Sequence, residues 1–274
     1  MTSTRAQNAL LLIAGTGSRL KPLTDDRPKC LVELGGKPLL AWQLQSLKSA
    51  GVQRVAAVTG YRRESLAPWL GHGIDREYVN ERFETTNMVA TLLRAEEELA
   101  RGLIISYGDI IYSPQVVETL QATPGDIAVV VDRRWHDLWK QRFRDPLSDA
   151  ETLMLDPEGR ILEIGQKPSS LAKVMAQYIG LIKLTPEGGR RMLASYRRAE
   201  AVVREGGLAW GRVRSLEKAY MTDLLQGLID EGQEIRSAPI DGQWLEMDSM
   251  DDYALYERLG APRADASAIF NLGR

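Results

Sequence analysis

The segment from Asn8 to Leu40 sets the strongest limit on what this chain can fold into. A short apolar run, A-L-L-L-I-A at residues 9–14, breaks into G-T-G-S-R-L-K-P-L-T and then into R-P-K-C-L-V-E-L-G-G-K-P-L-L. Gly15 and Gly17 let the backbone turn sharply and approach a ligand closely, while Arg19, Lys21, Arg27 and Lys29 set four cations beside the exposed amides of the turn. A strand that ends in such a loop is a phosphate cradle. Two familiar cradles are excluded: a dinucleotide fingerprint needs a third glycine where this chain has Leu20, and a phosphate-binding loop of the G-K-[ST] type lacks its lysine and hydroxyl at the required spacing.

Beyond the cradle the pattern alternates. The segment from Pro38 predicts a helix with Leu40, Leu44 and Leu47 on one face, ending at Ala50-Gly51. A strand at 55–59, a helix from Glu64 to Leu70, a short strand ending at Val79 and a helix capped by Thr86-Asn87 and running through Leu99 follow. The run L-I-I-S-Y-G-D-I at 103–110 predicts a buried strand that stops at Asp109. Strands separated by helices imply a parallel sheet covered on both faces. The second half changes character. A strand at 127–132 is followed by a hairpin at 151–165 around P-E-G, a strand at 178–184, helices near 186–205 and 215–231, and a strand W-L-E-M-D at 244–248 before a helix capped by Ser249.

Composition narrows the function. Net charge is −2 over 274 residues, so no global basic field points to nucleic acid, and the positive charge is local to the cradle. No run of 18 apolar residues suggests a membrane span, and the polar start M-T-S-T-R-A-Q-N lacks the apolar region of a signal peptide, which makes the cytoplasm the expected compartment. Cys30 is the one cysteine, expected as a buried inert thiol at a strand edge, and His72 and His136 are too few for a Cys/His metal cluster. Asp109 and Asp248 both end apolar strands, where open α/β sheets bind ligands, yet each also stands close to a helix start. Spacing alone leaves magnesium ligand and helix cap equally open for both.

The segment 12–29 resembles the signature of the nucleoside-diphosphate-sugar pyrophosphorylase superfamily, A-A-G-x-G-[ST]-R-L-x-P-L-T-x-x-x-P-K, with Ile13 in place of the first alanine. Thr59-Gly60-Tyr61, Y-V-N-E-R-F at 78–83, Thr86-Asn87-Met88, Y-G-D-I at 107–110 and L-E-M-D-S-M-D-D-Y at 245–253 are similar to motifs of the CTP:phosphocholine cytidylyltransferase family. The resemblance implies an α/β fold, a Rossmann-like three-layer α/β/α arrangement with a mixed, mainly parallel central sheet and an inserted acceptor-side lobe. It implies a single nucleotidyltransferase domain over 1–274, with a nucleotide-binding half at 8–112, an acceptor-side half at 113–259 and a C-terminal arm at 260–274.

It also implies a reaction: transfer of CMP from CTP to a small phosphorylated or phosphonate acceptor (phosphocholine, aminoethylphosphonate or a phospho-amino acid), with release of pyrophosphate and with Mg2+ on Asp109 and Asp248. Arg19 and Lys29 then take the catalytic roles, Lys29 at the α-phosphate and acceptor, Arg19 at the β- and γ-phosphates. Ala14, Gly15, Thr16, Gly17, Ser18, Asn80, Asn87 and Gly108 bind the nucleotide, with Asn80 and the Ala14 backbone reading the base. Trp135, Trp139, Lys167 and Tyr178 are the acceptor-side candidates. Trp135 and Trp139, four apart, would share a helix face; paired indoles suit a quaternary ammonium, although aromatic residues at that spacing more often bury apolar area. Arg133, Arg134, Lys140, Arg142 and Arg144 would instead attract a carboxylate or coat the surface. G-Q-K-P at 165–168 and Y-M-T-D at 220–223 are similar to sugar nucleotidyltransferase motifs, with Gln166 where those place a sugar-binding glutamate. A sugar-1-phosphate nucleotidyltransferase using UTP or dTTP and a non-catalytic nucleotide-binding regulatory subunit therefore stay open. No nucleic-acid or membrane partner is expected, and a homo-oligomer is left open.

Overall fold

Side chains alternate along a strand, so a strand apolar at every position must be covered on both faces. Asn8–Leu12, apolar from Ala9 onward, is such a strand, and the computed structural model, which describes residues 6–259, places it inside a seven-stranded sheet, third from one edge. Across the sheet the strands run Arg76–Val79, Arg54–Thr59, Asn8–Leu12, Leu103–Tyr107, Gln177–Leu184, Ile127–Asp132 and Arg236–Ile240. Only Gln177–Leu184 is antiparallel to its neighbours, which makes the sheet mixed but mainly parallel. Leu11, Ile13, Ala57 and Ile104 face a layer built on the helices Leu39–Ser49, Pro114–Ala122 and Trp135–Arg142. Leu10, Leu12, Val58 and Ile105 face the opposite layer, with Val89, Leu92, Met192, Leu224 and Leu228 from the helices on that side. The three-layer α/β/α expectation holds.

Several local expectations shift. The segment after Arg62 is a 3-10 turn, Arg63–Trp69, because Pro68 lies inside it and cannot supply a helical amide. The helix capped by Asn87 is broken into Met88–Leu92, a 3-10 turn Leu93–Ala95 and Glu96–Leu99. Cys30 is buried as expected but sits in the 3-10 turn Lys29–Leu31, and burial pushes its thiol up to about 12. The edge strand Arg236–Ile240 has no expectation behind it in the sequence, since Pro239 argues against a strand. The C-terminal arm at 260–274 lies outside the described residues.

One departure positions the site. The central strand ends at Tyr107, and Gly108-Asp109 turns the chain into a second short strand, Ile110–Tyr112, paired antiparallel with Trp244–Glu246. Gly108 is required at that turn: a Cβ there would lie 2.6 Å from Ile13 Cγ2 and 3.1 Å from the Leu12 carbonyl. The two-stranded ladder, together with the Met247 amide donating to the Asp109 carbonyl at 2.8 Å, brings Asp109 and Asp248 to the same end of the same ribbon.

Candidate active site

The cradle begins where the first strand stops. Ile13 donates its amide to Val58, and the Ala14 carbonyl accepts the Tyr61 amide, each at 3.0 Å, so the loop leaves the sheet anchored to the neighbouring strand Arg54–Thr59 and to the turn that follows it. Gly17 adopts φ 60° in the left-handed region, and a Cβ there would meet Lys29 Cβ at 2.9 Å. Thr24 Oγ1 donates to the Gly17 carbonyl at 3.0 Å and closes the loop from below. Among the described residues the amides of Gly15, Thr16, Gly17 and Ser18 bond no backbone carbonyl. They line a cavity of about 240 Å³ with Arg19, Lys29, Gly108, Asp109 and Asp248. Ala14 supports this wall through its backbone rather than lining it.

Lys29 joins the two carboxylates. Its Nζ donates to Asp109 Oδ2 at 2.9 Å and to Asp248 Oδ1 at 2.6 Å, while Arg19 pairs with the other oxygen of Asp248. Burial pulls the Lys29 ammonium down, but Asp109 and Asp248 outweigh it and hold it above its ordinary value. Burial likewise pushes the Asp248 carboxyl up, and Lys29 and Arg19 together bring it below the usual carboxylate range. Neither carboxylate caps a helix: Ser249, in a capping box with Asp252, caps Met250–Arg258, and Ser113 stands at the N-cap of Pro114–Ala122. Asp109 Oδ1 is buried without a hydrogen-bond partner. Two converging carboxylates, one with a free buried oxygen, fit a magnesium ion that takes its other ligands from phosphate and water. Groups of three or more Cys, His, Asp or Glu able to hold a metal are absent among the described residues.

A second cavity of about 430 Å³ opens from the first, and the two share Arg19, Met88, Tyr107, Asp109 and Asp248. Its walls carry Asp149, Glu151 and Glu246 together with the rings of Tyr107, Trp139, Tyr178 and Trp244. Arg19, at the junction, is its one cation among the described residues. Burial, then Asp149 and Asp223, pushes the Glu151 carboxyl up to about 7. Trp139 Nε1 and Tyr178 Oη are buried without hydrogen-bond partners, so both keep polar capacity for a ligand. Gly180, at φ 86°, lies in the irregular stretch of its strand and makes room for the Tyr107 ring, whose Cδ2 a Cβ would approach to 2.5 Å. Tyr107 meets Tyr178 edge to face at 5.9 Å.

Of the acceptor-side candidates, Trp139 and Tyr178 line this chamber and two others do not. Trp135 packs behind Trp139, ring centroids 5.9 Å apart, in the role of a core aromatic. Lys167 donates to the carbonyls of Leu147 and Ser148 at 2.7 and 2.6 Å and ties down a loop instead. Asn80 is corrected as well. Its buried amide donates to Thr86 and Thr91 hydroxyls at 2.9 and 3.0 Å and its oxygen accepts the Arg82 amide at 3.1 Å, so no polar atom is left for a base. Asn87 accepts the Met88 amide at 2.9 Å and borders the second cavity rather than the cradle. The cations at 133–144 do not line the chamber: Arg133 pairs with Asp241, Arg134 with Asp137, and Arg142, behind the wall, with Glu246 and Asp252, while Lys140 and Arg144 are exposed. What reasoning from the sequence missed is the acidic lining. Asp149 and Glu151, two apart ahead of a hairpin, carried a weak signal among 37 acidic residues.

Comparison with known proteins gives the same fold and a family. The model of the MobA-like NTP transferase domain matches residues 9–203. A CTP:phosphoglutamine cytidylyltransferase of Campylobacter jejuni is 38% identical over 252 residues, covering 89% of this chain and 97% of that protein. A CMP-5'-(3-aminopropyl)phosphonate synthase of Streptomyces rubellomurinus is 37% identical over 129 residues, 46% of this chain and 20% of that one. The solved structure of the CTP:phosphocholine cytidylyltransferase of Streptococcus pneumoniae superposes with a TM-score of 0.69 at 20% identity, covering 93% and 99% of the two chains, a likeness of fold.

Proposed function

Because the chain belongs to the MobA-like NTP transferase family and is a nucleotidyltransferase, we propose that it transfers CMP from CTP to a small acceptor that carries a phosphate or phosphonate at one end and an ammonium group at the other. The supporting observation is the joined pair of cavities: an amide-lined cradle opens through Arg19 into a chamber of carboxylates and aromatic rings. The acceptor's anionic end belongs at the junction with Arg19. Its cationic end belongs among Asp149, Glu151 and the rings, where a cation meets both opposite charge and π faces. The names of the cytidylyltransferase and phosphonate relatives support CTP as donor and this acceptor class.

In the reaction an acceptor oxygen attacks the α-phosphorus of CTP, the bond to the bridging oxygen of the β-phosphate breaks, and pyrophosphate leaves with that electron pair. An acceptor phosphate is largely dianionic at neutral pH, its second pKa being about 6, so no general base is required. The amides of Gly15 to Ser18 hold the triphosphate, Arg19 and Lys29 neutralise charge that develops between donor and acceptor, and the chamber aligns the nucleophile. Asp109 and Asp248 would hold Mg2+, which when bound neutralises phosphate charge and orients the leaving group. A cytoplasmic location belongs to the same reading, since the reaction consumes a nucleoside triphosphate; among the described residues no helix is long and apolar enough to cross a membrane.

Pyrophosphate release measured with CTP, UTP, dTTP and ATP, each crossed with phosphocholine, aminoethylphosphonate, a phospho-amino acid and glucose 1-phosphate, tests the assignment. CTP with an ammonium-bearing acceptor is expected to be fastest. Faster turnover of UTP or dTTP with the sugar phosphate returns the protein to the sugar nucleotidyltransferases, and no turnover of any pair refutes the proposed acceptor class.

A further inference from the structure

Arg142 ends the helix Trp135–Arg142 with a side chain that is 1% exposed. Its Nη1 donates to Glu246 Oε2 at 2.6 Å, its Nε to Asp252 Oδ1 at 2.7 Å and its Nη2 to Asp252 Oδ2 at 3.1 Å. On its other sides the guanidinium lies 5.0 Å from the ring centroids of both Trp139 and Phe143. The same Asp252 Oδ2 accepts the backbone amides of Asp248 and Ser249 at 3.0 and 2.9 Å. An unbroken series of contacts therefore leads from Trp139, in the chamber wall, through Arg142 and Asp252 to the main chain of Asp248.

Burying one arginine with two carboxylates costs several kcal/mol per ion, and well-packed apolar groups commonly stabilise a fold as well or better. What an apolar cluster cannot do is fix direction, which a planar fork holding two carboxylates does. We propose that Arg142 is a positioning residue: acting through Asp252 and Glu246, it holds the segment that carries Asp248 in register with Lys29 and Asp109, and so couples the acceptor wall to the metal-binding carboxylates. This rests on the reading of Asp248 as a magnesium ligand given above. Outer partners of metal ligands typically govern 10–100-fold in affinity or activity, and main-chain displacements of about 1 Å at a reacting centre can cost about 100-fold.

The test uses Arg142→Lys, which keeps the charge and loses the fork, and Asp252→Asn, which keeps an oxygen for the two amides and loses the ion pair. Mn2+ affinity is read by electron paramagnetic resonance in the presence of a CTP analogue with a methylene bridge between its α- and β-phosphates. Steady-state kcat, the KM for each substrate and thermal unfolding are measured beside it, with Asp248→Asn as reference. Arg142→Lys is expected to fold, to weaken Mn2+ binding roughly tenfold, and to lower kcat by a similar factor with the CTP KM little changed. Asp252→Asn should move the same way, and Arg142→Lys should add no further loss of Mn2+ affinity in an Asp248→Asn background. Wild-type Mn2+ affinity and kcat in folded Arg142→Lys and Asp252→Asn, beside a weakened Asp248→Asn, overturns the positioning role alone. Unchanged Mn2+ binding in Asp248→Asn overturns the metal assignment and this inference with it. Should Arg142→Lys fail to fold, Asp252→Asn decides.

Discussion

Lys29→Met tests the centre of the site most directly, because one ammonium touches both carboxylates at 2.9 and 2.6 Å. Removing one partner of a buried ion pair costs about 3–5 kcal/mol, and because Arg19 still pairs with Asp248 the lower end, about 3 kcal/mol, applies. At about 2–4 °C per kcal/mol for a chain near this size, Tm should fall by roughly 6–12 °C. The Lys29 pKa is raised in the folded state, so its contribution is fully present below its unfolded value of 10.5 and is lost only as pH rises through the folded one. Asp248 is lowered, so its share is present above 3.8 and is lost as pH falls through its folded value. The difference in Tm between variant and wild type should therefore persist across neutral pH and narrow in strong acid. Removing a charge that stabilises the transition state should cost about 2.7–4 kcal/mol, roughly 10²–10³ in kcat. The variant also frees the space between two carboxylates, so saturating Mg2+ without nucleotide should raise its Tm by more than it raises the wild type's. Scanning fluorimetry with and without Mg2+, paired with pyrophosphate release, reads all of these. Near wild-type turnover, or an equal Mg2+ effect on both proteins, refutes the arrangement of Lys29 between two metal-binding carboxylates.

Glu151→Gln should flatten a pH dependence in the acceptor KM. With its carboxyl raised to about 7, the wild type should bind an ammonium-bearing acceptor better as pH rises through that value. The same group holds a proton in the folded chain between its ordinary 4.5 and about 7, so stability falls as pH rises across that window and the variant should be the more stable protein at pH 8; an unchanged KM profile and stability would remove Glu151 from the chamber. Trp139→Phe should raise the acceptor KM about tenfold through loss of a buried N–H donor and leave the CTP KM alone, whereas Trp135→Phe should lower Tm with little change in either; initial-rate kinetics showing the reverse would exchange the two roles. Lys167→Ala should keep kcat and acceptor KM within about twofold, since its ammonium is committed to two carbonyls; a large loss of acceptor affinity in the same assay would restore it to the site.

Local chemistry was legible in the sequence wherever a few consecutive residues define the structure. The apolar run, the two glycines and the cations of residues 8–29 are covalently near one another, so the cradle could be read without tertiary information, and Gly17 shows why: its left-handed backbone and its approach to Lys29 arise within twelve residues. The alternation of strands and helices likewise pointed to the three layers, because burial on both sheet faces imposes its pattern on each strand separately. Asp109 and Asp248 could be singled out by position, but whether they cap helices or face one another was decided by the pairing of Ile110–Tyr112 with Trp244–Glu246. The second cavity was the least legible part. Tyr107, Trp139, Glu151, Tyr178 and Trp244 come from five separate elements and loops. Asn80, Lys167 and Arg142 bear side chains as suited to ligands as any in the site, yet each spends its hydrogen bonds within the protein. A side chain's type states what it can bind; which partner it meets depends on the packing of distant segments, and that only the tertiary structure decided.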